Sequence, residues 1–148
     1  MTRLMTLAAE NGFSHYAAAN MEAFVPRADV RTMCRQNRCG RYGASWACPP
    51  GCGTLEQAIE DIAGCKSGVL VQTTGTLTDE FDYDGMQEIS RRHKKSFVSF
   101  TRQARMLYPD CLALTAGTCT VCAKCTYPTK PCRFPKKRLS SMEAYGLW

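Results

Sequence analysis

At 148 residues, 45% apolar and 22% charged with a formal charge of +6, the chain is sized for one compact domain and is too apolar to be disordered. No stretch approaches the ~20 consecutive apolar residues that cross a bilayer. Residues 4–9 are too short an apolar run, too quickly closed by Glu10, to read as a secretory leader. The expectation is a cytoplasmic protein with a single cysteine-rich domain over residues 1–148 and no membrane span.

Along the chain, residues 2–11, with Leu4, Leu7 and Ala8, predict a short helix that Gly12 stops. The small, apolar stretch 14–23 predicts a strand. From Arg27 to Gly53 no hydrophobic period is usable. Four cysteines, four glycines and the Pro49-Pro50 pair predict an ordered loop held by a ligand, since structureless loops of that length are rare in compact domains. Thr54 opens a capping box with Gln57, and Leu55, Ala58, Ile59, Ile62 and Ala63 form an apolar stripe that Gly64 ends. Residues 68–74, with Val69, Leu70 and Val71 in succession, predict a buried strand of the parallel kind.

Asp84 is the expected cap of a long helix in which Met86, Ile89, His93, Phe97, Phe100, Ala104 and Leu107 recur every three or four residues. Pro109 marks its end, and residues 111–115 predict another short buried strand. A second cysteine-rich loop runs from Gly117 to Pro135. Ser140 and Glu143 read as a further capping box, ahead of a last turn closed by Gly146. Strands alternating with helices over short connections predict an α/β fold. Its β-α-β-α-β core would be a small two- or three-layer sheet of parallel strands with right-handed crossovers, carrying two cysteine-rich metal-binding loops at strand ends.

The cysteines carry the chemistry. Ten in 148 residues is far above ordinary usage, and in a reducing compartment clustered thiols bind metal more often than they form disulfides. Cys119, Cys122, Cys125 and Cys132 are spaced C-x2-C-x2-C-x6-C, and the first three match the bacterial ferredoxin run. The fourth departs from it, because six residues intervene and Pro131 precedes Cys132 rather than following it. A four-thiolate zinc site normally uses two separated C-x2-C pairs, so the spacing favours iron–sulfur, with zinc as the alternative. The second group is Cys34, Cys39, Cys48 and Cys52. Its x4 step resembles the first step of plant-type ferredoxins, but the x8 and x3 steps do not. The eight cysteines therefore predict one or two [4Fe–4S] clusters, with the pairing between groups open and Cys52 the weakest member. Cys65 and Cys111 stand apart and read as small buried hydrophobes.

Cys34-x4-Cys39 followed by Tyr42-Gly43-x-Ser45-Trp46-x-Cys48-Pro49-Pro50 resembles a family described only as predicted metal-binding proteins of unknown function. So do Ala116-Gly117-x-Cys119-x2-Cys122-x2-Cys125, Pro131-Cys132-Arg133-x-Pro135 and Ser141-Met142-Glu143-Ala144-x-Gly146. The resemblance spans nearly the whole chain in the family's order and implies a cysteine-bound metal centre with no established reaction. Cys52 is not a regular part of that pattern.

Between Ile89 and Met142 the chain carries twelve basic residues and one acidic, Asp110. A [4Fe–4S]2+ cluster on four thiolates is a net dianion, so two of them would offset most of the +6. The functional reading of the same charge is a surface for an acidic redox partner or partner subunit. Nucleic acid is disfavoured, because no aromatic-basic interleaving of the stacking kind occurs. His93 reads as a buried, hydrogen-bonded histidine, and Trp46 as a cluster shield or ordinary packing. Radical-SAM spacing fails at Leu55, and a P-loop fails at Glu60 and Cys65. The leading expectation is thus a small electron-transfer or accessory redox protein, not itself an enzyme. A zinc-stabilised interaction module and a redox enzyme with an open cluster position are the alternatives.

Overall fold

The computed structural model describes residues 2–148. Its helices are α1 (Thr2–Glu10), α2 (Ala28–Arg35), α3 (Leu55–Ala63) and α4 (Tyr83–Leu107), and its strands are β1 (His15–Ala18), β2 (Val69–Gln72), β3 (Leu114–Thr115) and β4 (Ser140–Ser141). The chain divides into two compact units: Met1–Met21 with Lys66–Cys111, and Glu22–Cys65 with Leu112–Trp148.

In the first unit, α1 ends as expected before Gly12, whose φ of +74° suits a residue without a side chain. Leu7 and Ala8 are buried, and α1 packs against α4, β1 and β2. On α4 the predicted stripe narrows to Phe97, Phe100 and Ala104 as its buried members, joined by Thr101, while Met86 and Leu107 at the two ends are exposed. Phe13 meets Phe100 edge-on at 5.6 Å. The helix begins one turn's edge earlier than expected: Asp82, not Asp84, is its cap, accepting from the Gly85 N–H at 2.8 Å. His93 is a half-buried packing residue, with Nδ1 2.9 Å from Thr73 Oγ1 and its ring stacked on Phe97. Burial, then the charge of Lys94, holds its pKa below the ordinary histidine value.

The predicted core of parallel strands is corrected. Among the described residues there are two sheets of two strands each, and β2 pairs antiparallel with β1, Tyr16 opposite Val71 and Ala17 opposite Leu70. Val69 and Val71 are half-buried while Leu70 is 50% exposed. A strand covered on one face alternates in this way and has no need of helices on both sides. The expected strand over 14–23 shortens to β1 and a 3₁₀ turn at Met21–Ala23.

The second unit holds the parallel pair, β3 with β4, only two residues long. Its α3 starts with the complete Thr54–Gln57 capping box. Ala58 and Ile62 on α3 form a core with Tyr145 and Leu147, onto which Phe24, Leu112, Leu114 and Met142 pack. Residues 140–141 are strand rather than a helix start, and the cap position of the last turn is Met142; Ser141 Oγ accepts from the Ala144 N–H at 3.1 Å. The turn Glu143–Tyr145 ends at Gly146 with φ +78°. A Cβ there would lie 2.9 Å from Leu55 Cδ1 and 3.0 Å from Arg27 N, so only glycine fits. No helix among the described residues is long and apolar enough to cross a membrane.

Candidate metal centre

All eight cysteines of the two expected groups lie in the second unit. All ten cysteines of the chain are free thiols. The stretch before Gly53 is not the continuous loop expected. It contains α2, which the hydrophobic period misses because the side packed into the unit carries Val30, Arg31 and Cys34, and of these only Val30 is both apolar and buried, at 1% exposure. Arg31 and Val30 lie three and four residues before Cys34, the spacings that bring helical side chains together. Cys34 thus leaves the last turn of α2, and its thiol donates to the Glu143 carbonyl at 3.7 Å.

Arg31 organises this side. Its guanidinium donates to the carbonyls of Ala144 and of Gly53, the latter at 2.6 Å, and lies 3.7 Å from Cys52 Sγ. The Cys52 thiol in turn donates to the Ala144 carbonyl at 3.7 Å. Cys34 and Cys52 thus lie against the same C-terminal turn, at the Glu143 and Ala144 carbonyls. Burial pushes the thiols of Cys34, Cys48 and Cys52 up, and their neighbours' charges add to it: Cys39 and Cys48 act on Cys34, Cys39 acts on Cys48, and Cys48 acts on Cys52. Arg31 pulls Cys34 and Cys52 back down.

The other four cysteines border a single recess. Cys119, Cys122, Cys125 and Cys132 line a hollow of about 340 Å³, counted out to its open mouth, together with the 45–47 segment and Arg138. No carboxylate is in its lining. The Trp46 backbone N–H points to Cys125 Sγ at 3.5 Å. Burial alone would raise the Cys125 thiol, but the N–H groups of Trp46, Tyr127 and Thr126 with the Ser45 hydroxyl outweigh it, and its pKa falls below the ordinary thiol value. N–H groups aimed at sulfur stabilise the thiolate, the form that binds metal.

Among the described residues no three cysteine, histidine or carboxylate side chains stand close enough, as placed, to grip one ion. The fit to a metal lies in the residue types: the eight cysteines of the two sequence groups are soft sulfur donors, with a guanidinium beside Cys52 and a backbone N–H on the Cys125 sulfur. Cys65 and Cys111 stay outside both. They are half-buried rather than buried, and the Cys65 thiol donates to the Asp61 carbonyl at 3.4 Å. Reading by spacing did not find Arg31, Ser45 or Arg138. Arg31 was within reach, because it lies three residues before Cys34, a helical spacing that brings both onto one face.

Residues 18–148 match a family described as "Predicted metal-binding protein (DUF2284)". No curated protein and no solved structure matches the chain significantly.

Proposed function

Because the chain belongs to this family of predicted metal-binding proteins, we propose that it is an iron–sulfur protein whose two cysteine groups each hold a [4Fe–4S] cluster and exchange electrons with a partner. The observation that carries the reading is the recess shared by Cys119, Cys122, Cys125 and Cys132, with an N–H donor on a cysteine sulfur and no carboxylate in its lining. The C-x2-C-x2-C run supports iron–sulfur over zinc. When bound, such a cluster takes up and gives back one electron at a time.

The residues around the recess do the rest. Cys119, Cys122, Cys125 and Cys132 are the proposed ligands of one group, and Cys34, Cys39, Cys48 and Cys52 of the other. With four thiolates on each centre no metal position is open to substrate, so the chain acts by outer-sphere transfer rather than as an enzyme. Trp46 packs edge-on to Tyr127 at 4.8 Å while its backbone N–H lies on Cys125 Sγ. Around the same loop Lys124, Lys130, Arg133, Lys136 and Lys137 are exposed. Lys137 also lies over the ring of exposed Phe134. A cationic rim with an apolar residue in it suits an acidic protein redox partner. Ten free thiols suit a cytoplasmic setting.

Oxygen-free purification with iron, sulfide and zinc quantification tests the reading. The expected result is a brown protein with about eight iron and eight sulfide per chain. A colourless protein carrying zinc alone would overturn it.

A further inference from the structure

One short segment serves both cysteine groups. Ser45, Trp46 and Ala47 wall the recess of Cys119, Cys122, Cys125 and Cys132, and the next residue, Cys48, is one of the four cysteines grouped with Cys34 by spacing. The segment is anchored on the recess side at two points: the Trp46 backbone N–H on Cys125 Sγ, and the Trp46 indole N–H on the Lys130 carbonyl at 2.9 Å. At its end, Cys48 Sγ lies 3.6 Å from Thr118 Oγ1, on the same cysteine-rich loop one residue before Cys119. Between these anchors there is no slack. Ala47 is 1% exposed and Cys48 8%. Ser45 accepts from the N–H groups of both Ala47 and Cys48. Gly51 closes the back, where even a Cβ would lie 2.5 Å from the Ser45 carbonyl and 2.8 Å from the Tyr127 ring.

From this geometry we infer that metal loading at the two groups is coupled through Ser45–Cys48. The inference rests on the eight cysteines holding metal, and it holds for iron–sulfur and zinc alike. Metal on Cys34, Cys39, Cys48 and Cys52 pins Cys48. Pinning Cys48 holds the Trp46 N–H on Cys125 and the wall of the recess in place. The second metal then binds a wall already ordered, and pre-ordering even one residue is worth about tenfold in affinity. Linkage makes the effect reciprocal, so each site strengthens the other by the same factor.

Anaerobic titration of the full-length chain with cobalt(II) alone, read by its thiolate charge-transfer and d–d absorption, tests the coupling. Cys39→Ser disables the first site at an exposed cysteine that does not line the recess. The second site is expected to bind cobalt about tenfold more weakly in it, and Cys122→Ser should weaken the first site equally. Cys65→Ser, outside both groups, should load as wild type does. Trp46→Phe keeps all eight thiols and the ring but loses the indole bond to Lys130. It should load both sites with the cooperativity reduced. Unchanged affinity of the second site in Cys39→Ser, or undiminished cooperativity in Trp46→Phe, would overturn the coupling while leaving the cysteine sites standing. A wild-type chain that takes up no cobalt would overturn the cysteine sites themselves, and the coupling with them.

Discussion

Replacing Arg31 by methionine removes the guanidinium while keeping a stem of comparable length, and it tests whether this residue ties the cysteine-bearing part of the second unit together. Arg31 joins three separate pieces of chain: α2, the turn at Gly53 and the C-terminal turn at Ala144. Ala144 is 1% exposed, so its carbonyl has no water to fall back on. Leaving that buried acceptor with only the long Cys52 thiol contact costs about 1–3 kcal/mol, and the hydrogen bond from the charged group to Gly53 contributes at a similar scale. The half-exposed Gly53 carbonyl recovers part of its loss from solvent, so the expected destabilisation is about 2–4 kcal/mol. At roughly 2–4 °C per kcal/mol for a chain of this size, the melting point of the metal-free, reduced protein falls by about 5–15 °C. Circular dichroism melts under reducing conditions read it. Arg27→Gln is the control, since that side chain pairs only with exposed Asp29 and its loss should leave the melt unchanged. Arg31→Lys should recover little, because an ammonium lacks the fork that reaches two carbonyls. An Arg31→Met melt coincident with wild type would refute the reasoning.

Gly51→Ala should destabilise the protein by about 1–3 kcal/mol and lower its metal content, because the new methyl meets the Ser45 carbonyl and the Tyr127 ring; metal per chain and urea unfolding read both. Tyr145 donates to Asp61 at 3.0 Å, and burial, then that bond and the Asp61 charge, push its pKa up to about 12 from the ordinary 10.0. Its folded-state pKa is raised, so its contribution is whole below pH 10 and is lost as the pH rises toward 12. Tyr145→Phe should accordingly flatten that part of the stability curve, as denaturant unfolding across pH 9–12 would show, and equal slopes for the two proteins would count against it. Cys122→Ala should remove about half of the bound iron and Cys39→Ala the other half, whereas Cys65→Ala should remove none, as iron assays on anaerobic samples would report.

What could be read without coordinates was local. The Thr54–Gln57 box predicts the start of α3, because both of its hydrogen bonds close within four residues. The three- and four-residue steps through Phe97, Phe100 and Ala104 predict the buried side of α4 for the same reason, since one turn of helix decides them. The two cysteine groups were visible as spacing, and the structure keeps both in one unit.

Nonlocal choices needed the folded chain. Nothing in residues 68–74 says that β2 will pair with β1 from fifty residues earlier, and a run of apolar residues reads alike for a strand covered on one face or on two. α2 stayed hidden because two of the three residues on its inward side are an arginine and a cysteine, side chains that bury themselves only when carbonyls from distant segments come to meet them. The Trp46 N–H on Cys125 and the placement of Cys48 beside Thr118 likewise join loops some seventy residues apart. The residue types and spacing could therefore name eight candidate sulfur donors. That residues 45–47 wall the recess of four of them was decided by tertiary packing, because hydrogen bonds between distant loops leave no periodic trace along a chain.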